Sequence, residues 1–159
     1  GPVGANHHSP VPGLYCGFAM IEPHWEHYSH PADMGIRGFG RTREEAFAQA
    51  ALALTAIVTA PAKIEPRTAV EIVCEEDDDE MLFWYWLSAL LYEMDTRRML
   101  FGRFDVAPVD GGVRATAWGD VVDVARHQPA VEVKAATYAD LKVECDSRGM
   151  WIAQCIVDV

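Results

Sequence analysis

The chain has 159 residues, half of them hydrophobic and with five tryptophans, which fits one domain with a substantial core. Its 24 acidic residues against 13 basic ones leave a net charge of −11, which argues against direct nucleic-acid binding and against an anionic membrane surface. No apolar run approaches the roughly 20 residues that span a bilayer, and four cysteines (Cys16, Cys74, Cys145, Cys155) without CxxC spacing or a secretory signal read as reduced structural thiols of a cytoplasmic protein.

Residues 1–24 lack periodicity and are dense in turn-formers, so they read as a disordered tail. Gly1-Pro2 is compatible with a protease scar from expression and Met20 with a native start. His24, His27 and His30 recur every third residue, a period that fits neither a strand face nor a sustained helix face. No cysteine accompanies them, and they are not read as a zinc-type site. In His30-Pro31-Ala32-Asp33-Met34-Gly35-Ile36, Asp33 is a lone carboxylate among small and apolar neighbours. Pro31 fixes its own φ and biases the approach towards an extended path. Gly35 lets backbone or ligand come close just past the acid. Such a carboxylate is held in place. Residues 34–41, with glycines at 35, 38 and 40, predict a short strand with close backbone neighbours. Thr42-Arg43-Glu44-Glu45 is a capping box. Ala46, Phe47, Ala50, Leu54, Ile57 and Val58 then give one apolar helix face, and Pro61 ends the helix.

Alternation of Val70, Ile72 and Cys74 predicts a half-buried strand over 67–75. The six acids of 75–80 lack the glycine and distal glutamate of an EF-hand loop. They read as a solvated loop whose later acids favour a helix N-terminus. The helix expected over 79–95 is apolar all round between Met81 and Leu87, which implies burial on several sides or a face left for a partner. Met99–Val109, Asp110-Gly111-Gly112 and 113–118 read as a hairpin, while 121–127 is short and ambiguous. A strand with lysine on its polar face is expected over 131–138, and a closing hairpin over 141–145 and 150–157. This irregular interleaving predicts a single α+β domain, two helices packed on a mixed or largely antiparallel sheet.

The sequence offers no Gly-rich phosphate loop, no G-x-S-x-G, no activated cysteine and no His–carboxylate pair at motif spacing. The remaining polar set is Asp33, Asp158, Lys134, Thr137, Tyr138 and Asp120. Chain ends fray unless a strand ties them down, so a strand that runs into Asp158 points to a carboxylate needed where it lies. Asp33, Asp158 and a terminal oxygen of Val159 make an oxygen-only donor set, which favours Ca²⁺, Mg²⁺ or Mn²⁺ over zinc. The two acids are expected within about 5 Å of each other.

The stretch Trp25-Glu26-His27-Tyr28-Ser29-His30-Pro31-Ala32-Asp33-Met34-Gly35-Ile36-Arg37-Gly38-Phe39-Gly40 resembles the opening signature of the archease family. Thr42-x-x-Glu45-Ala46-Phe47 resembles that family's first helix, Val133-Lys134-Ala135-Ala136-Thr137-Tyr138 its KA-x-TYH motif, and Trp151-x-Ala153-Gln154 to Val157-Asp158-Val159 its closing strand. The resemblance spans 25–159. It implies a non-catalytic accessory protein of the RtcB-type RNA-splicing ligase, one that promotes guanylylation of the ligase and multiple turnover in tRNA splicing. It also implies a bound divalent metal, Ca²⁺ foremost, on Asp33, Asp158 and the main-chain oxygen of Val159. Lys134 falls on the motif lysine, and His30 and Tyr138 fall within matched motifs. Ala139 stands where the family carries histidine, and Asp120 where it usually has glutamate. The alternatives of other classes are a stand-alone metal-dependent hydrolase, which lacks an obvious general base, and a chaperone-like binding module using the aromatic second helix.

Overall fold

A period of two, which the spacing of the histidines hides, shapes the first element. Trp25, His27 and Ser29 alternate with Glu26, Tyr28 and His30, and His24–His30 forms strand β1. The computed structural model describes residues 22–31 and 33–159. The tail expected over 1–24 lies outside them except for 22–24, and His24 already opens β1.

Strand β2, Asp33–Gly40, turns back antiparallel on β1 with His30 opposite Asp33 and Tyr28 opposite Gly35. On its other side runs the last strand, β8 (Trp151–Asp158), pairing Met34 with Val157 and Gly40 with Trp151. Two short strands, β6 (Ala135–Ala136) and β7 (Lys142–Cys145), share the far edge of β8. The second sheet has the order β3-β5-β4, from Thr68–Glu75, Gly112–Val121 and Met99–Val109. Both sheets are antiparallel throughout, as a chain rich in hairpins and poor in crossover helices builds.

Helix α1, Arg43–Val58, is wedged between the sheets, and its alanines are the reason it fits. A Cβ placed on Gly38 would lie 2.2 Å from the carbonyl oxygen of Ala46, so helix and strand meet backbone to backbone. On the other side, the Thr55 hydroxyl donates to the carbonyl of Phe101 at 2.7 Å. The capping box forms with one change of partner. Thr42 accepts from the Glu45 amide, and Glu45 reaches back to the amide of Arg41 rather than to that of Thr42. Helix α2, Asp79–Arg97, buries Leu82, Phe83, Trp86, Leu87 and Leu90, and the Trp86 indole donates to the carbonyl of Phe47. Of its other aromatic residues, Trp84 is half-buried, and Tyr85 and Tyr92 face outward. Asp78 caps it, and Asp79 meets Arg43, so the acidic run is only partly a free loop.

Two expectations need correction. Residues 131–138 do not form a strand; only Ala135–Ala136 pair with β8. The Thr137 hydroxyl bonds the carbonyl of Ile156 alongside the Thr137 amide, and Asp140 at φ 53° bends the chain away. The ambiguous stretch 121–127 contains a third, four-residue helix, α3 (Val124–His127), capped by Asp123. Cys74 and Cys155 are buried free thiols and Cys145 is an exposed one. Burial pushes Cys155 up to about 12 and raises Cys74, so both stay protonated at neutral pH, as the reading of structural thiols requires.

Candidate functional site

The first sheet has a helix side and an outer side, and strand parity sorts the polar residues between them. Met34, Ile36, Gly38 and Gly40 face α1. Asp33, Gly35, Arg37 and Phe39 therefore face out, with Glu26, Tyr28 and His30 beside them on β1. The β2–β8 ladder ends with Met34 paired to Val157, and continuing its register by one residue puts Asp33 opposite Asp158. Directly opposed residues of antiparallel strands sit roughly 4.5–5.5 Å apart at Cα and point to the same face. His30 lies across from Asp33, and Ala135 across from Asp158. One row at the sheet end thus reads His30, Asp33, Asp158, Ala135, with Val159 just beyond it.

Among the described residues, neither carboxylate forms an ion pair or a side-chain hydrogen bond. Like charges placed opposite each other on a sheet repel, so this pairing costs stability. Nδ1 of His30, in the same row, is buried without a partner among the described residues. No group of three or more His, Cys, Asp or Glu side chains gathers to hold a metal among the described residues. A cation at this end would therefore need the two carboxylates supplemented by main-chain oxygens.

A second polar layer lies one row further along the same face, and the sequence did not single it out. The Tyr28 ring covers Gly35, where an added Cβ would come 2.4 Å from the ring atoms. Its hydroxyl reaches Asp140 at 3.4 Å, and the guanidinium of Arg37 stacks 4.3 Å from the ring centroid. Arg37 also pairs with Glu26 and donates to Gln154 Oε1 at 2.8 Å. The Tyr28 phenol is pushed up to about 12, first by burial and then by the nearby Asp140 carboxylate. The alternation of Glu26, Tyr28 and His30 was the signal that could have found this layer.

The other expected residues divide. Lys134 is exposed; its amide donates to the carbonyl of Asp158 at 2.8 Å, tying the motif lysine to the sheet end. Tyr138 stacks on Trp84 with ring centroids 5.1 Å apart. Asp120 does not join them: it sits on the second sheet, paired with Arg67 and Arg126. The three histidines split as well. His27 points to the helix side and its Nε2 donates to the carbonyl of Ala53, while His24 stacks on Phe39.

The model of the archease protein family (MTH1598/TM1083) matches residues 25–159, nearly the whole described chain. The chain belongs to the archease family. It is 43% identical to the protein archease of Pyrococcus furiosus and 42% identical to that of Thermococcus gammatolerans, in each case over 139 residues that make up 85% of this chain and 98% of the relative. Its fold is similar to the solution structure of Methanobacterium thermoautotrophicum protein 1598, with a TM-score of 0.66 at 30% identity, covering 85% of this chain and 98% of that one. The archease match begins one residue into β1 and ends at Val159, so it contains the whole carboxylate row.

Proposed function

We propose that this archease-family chain is a non-catalytic activator of the RtcB-type RNA-splicing ligase, promoting its guanylylation and repeated turnover in tRNA splicing. The observation that carries the reading is the opposed, unpaired Asp33 and Asp158 at the open end of the first sheet. Two hard oxygen donors in register, with a main-chain oxygen at Val159, fit a divalent cation, Ca²⁺ foremost and Mg²⁺ or Mn²⁺ otherwise. Bound there, such a cation would supply positive charge for nucleotide phosphates.

The chain's own part is positioning. The β2–β8 ladder runs up to Met34 and Val157, each next to one of the two acids, and the Lys134 amide ties down the backbone of Asp158. Tyr28 packs over Gly35 just behind them. The site opens at a sheet end rather than in a cleft of this protein, which suits insertion into a larger enzyme better than turnover of a substrate here. Tyr138 and Lys134 flank the row, and Asp120 is left outside it.

The test is multiple-turnover ligation by a cognate RtcB-type ligase with and without this chain, together with calorimetric titration of the free chain with Ca²⁺. Faster turnover and saturable Ca²⁺ uptake are expected. Phosphatase or nuclease activity of the isolated chain, with no effect on the ligase, would overturn the reading in favour of a metal-dependent hydrolase.

A further inference from the structure

Helix α2 leaves an aromatic stripe uncovered. Tyr85 is 42% exposed and Tyr92 64%, and they lie seven residues apart on one helix face. Between them Ser88 is small, and grooves of about 430 and 480 Å³ open on its two sides, both walled by Trp84. Four carboxylates and one cation rim these grooves: Glu75 and Glu76 on one side, Asp95, Glu132 and Lys134 on the other. None of the four is ion-paired among the described residues. The stripe is also continuous with the carboxylate row. The Trp84 indole donates to the carbonyl of Ala136 at 3.1 Å and its ring stacks on Tyr138, and the adjacent Ala135 pairs with Asp158.

Aromatic faces beside unpaired carboxylates match one side-chain chemistry closely. A guanidinium stacks on the ring and donates to the acid. The chain itself uses this arrangement: Arg37 lies over Tyr28 while pairing with Glu26. Other occupants fit less well. Four acids against a single lysine repel RNA phosphates, and a second copy would bring another net charge of −11. An enzyme that holds RNA and a nucleotide carries the complementary basic surface.

We propose that the Tyr85–Ser88–Tyr92 face of α2 docks an arginine-bearing basic segment of the ligase beside the carboxylate row. This inference rests on the ligase reading given above.

Calorimetric titration of the purified cognate ligase into the full chain at low and at high salt tests it, with stimulation of ligation measured on the same samples. The Tyr85→Ala/Tyr92→Ala pair should weaken binding by about tenfold or more, as loss of central aromatic anchors does. Asp95→Asn/Glu132→Gln should weaken it most at low salt and flatten its salt dependence. Ser88→Arg, which fills the groove with the wrong charge, should abolish it. All of these side chains are at least partly exposed, and circular dichroism should show each variant folded. If wild-type protein stimulates and binds the ligase while the folded tyrosine pair and Ser88→Arg bind equally well, the docking face is wrong and the activator role stands. If wild-type protein neither binds nor stimulates, the ligase reading fails and the docking face with it. Saturable binding of single-stranded RNA, or self-association, lost in the tyrosine pair would also overturn the assignment.

Discussion

At the scale of single residues, the sheet end joins two acids that repel and a phenol that must stay neutral. Asp33 and Asp158, each next to the last ladder pair Met34–Val157, have no counter-charge among the described residues, so removing either charge should not cost stability. Asp33→Ala and Asp158→Ala are therefore expected to melt at or above the wild-type temperature, measured by circular dichroism without added metal. Tyr28 gives the pH dependence. Its folded-state pKa of about 12 lies above the ordinary 10.0, so its contribution is complete below pH 10.0 and is lost as pH rises towards 12. Denaturant titrations across that window should show stability falling in wild-type protein and less so in Tyr28→Phe. Gly38 has no room for a side chain. An added methyl would meet the backbone of Ala46 and Ala50 rather than a side-chain tip, so Gly38→Ala should cost about 3 kcal/mol in urea unfolding. The sequence singles out Asp33 because it stands alone between a proline and a glycine. It does not single out the Tyr28 layer, because the meaning of that layer depends on Gly35 and Asp140, which only strand pairing and a left-handed turn bring to it.

At the scale of elements, local signals were reliable where local chemistry decides. The Thr42 cap, the alternation of Val70, Ile72 and Cys74, and the Asp-Gly-Gly hairpin all fold as their residues direct. Thr42→Ala should cost about 1 kcal/mol, which in a domain of this size lowers the melting temperature by about 2–4 °C. The acidic run is less uniform than its composition implied. Asp78 caps α2 and Asp79 meets Arg43 at 2.7 Å, so neutralising these two should cost more stability than neutralising Glu75 or Glu76. The strand expected over 131–138 failed for a tertiary reason. Thr137 spends its hydroxyl on the backbone of β8, and the turn at Asp140 leaves only Ala135 and Ala136 to pair. Alternating residues mark a willingness to be a strand, and the partner's free edge sets how much of it forms.

At the scale of the whole molecule, the α+β class was readable from the order of elements, but their layering was not. Nothing local in the alanines of α1 says that two sheets will press on it from opposite sides; that follows from glycines 38 and 40 on one side and the Phe101 carbonyl on the other. The same layering leaves the open end of the first sheet and the outer face of α2 as neighbouring surfaces, one carrying oxygen donors and the other aromatic rings with acids. Part of the chain's acidic charge lies on these two surfaces, with Asp33 and Asp158 at the sheet end and Glu75, Glu76, Asp95 and Glu132 beside α2. The central claim is that the opposed carboxylates are what this archease-family chain contributes to the ligase. The rate of ligase guanylylation with wild-type, Asp33→Ala and Asp158→Ala protein, each verified as folded, tests it most directly. The account predicts acceleration by wild-type protein and its loss in both variants; wild-type acceleration by folded Asp33→Ala would contradict it.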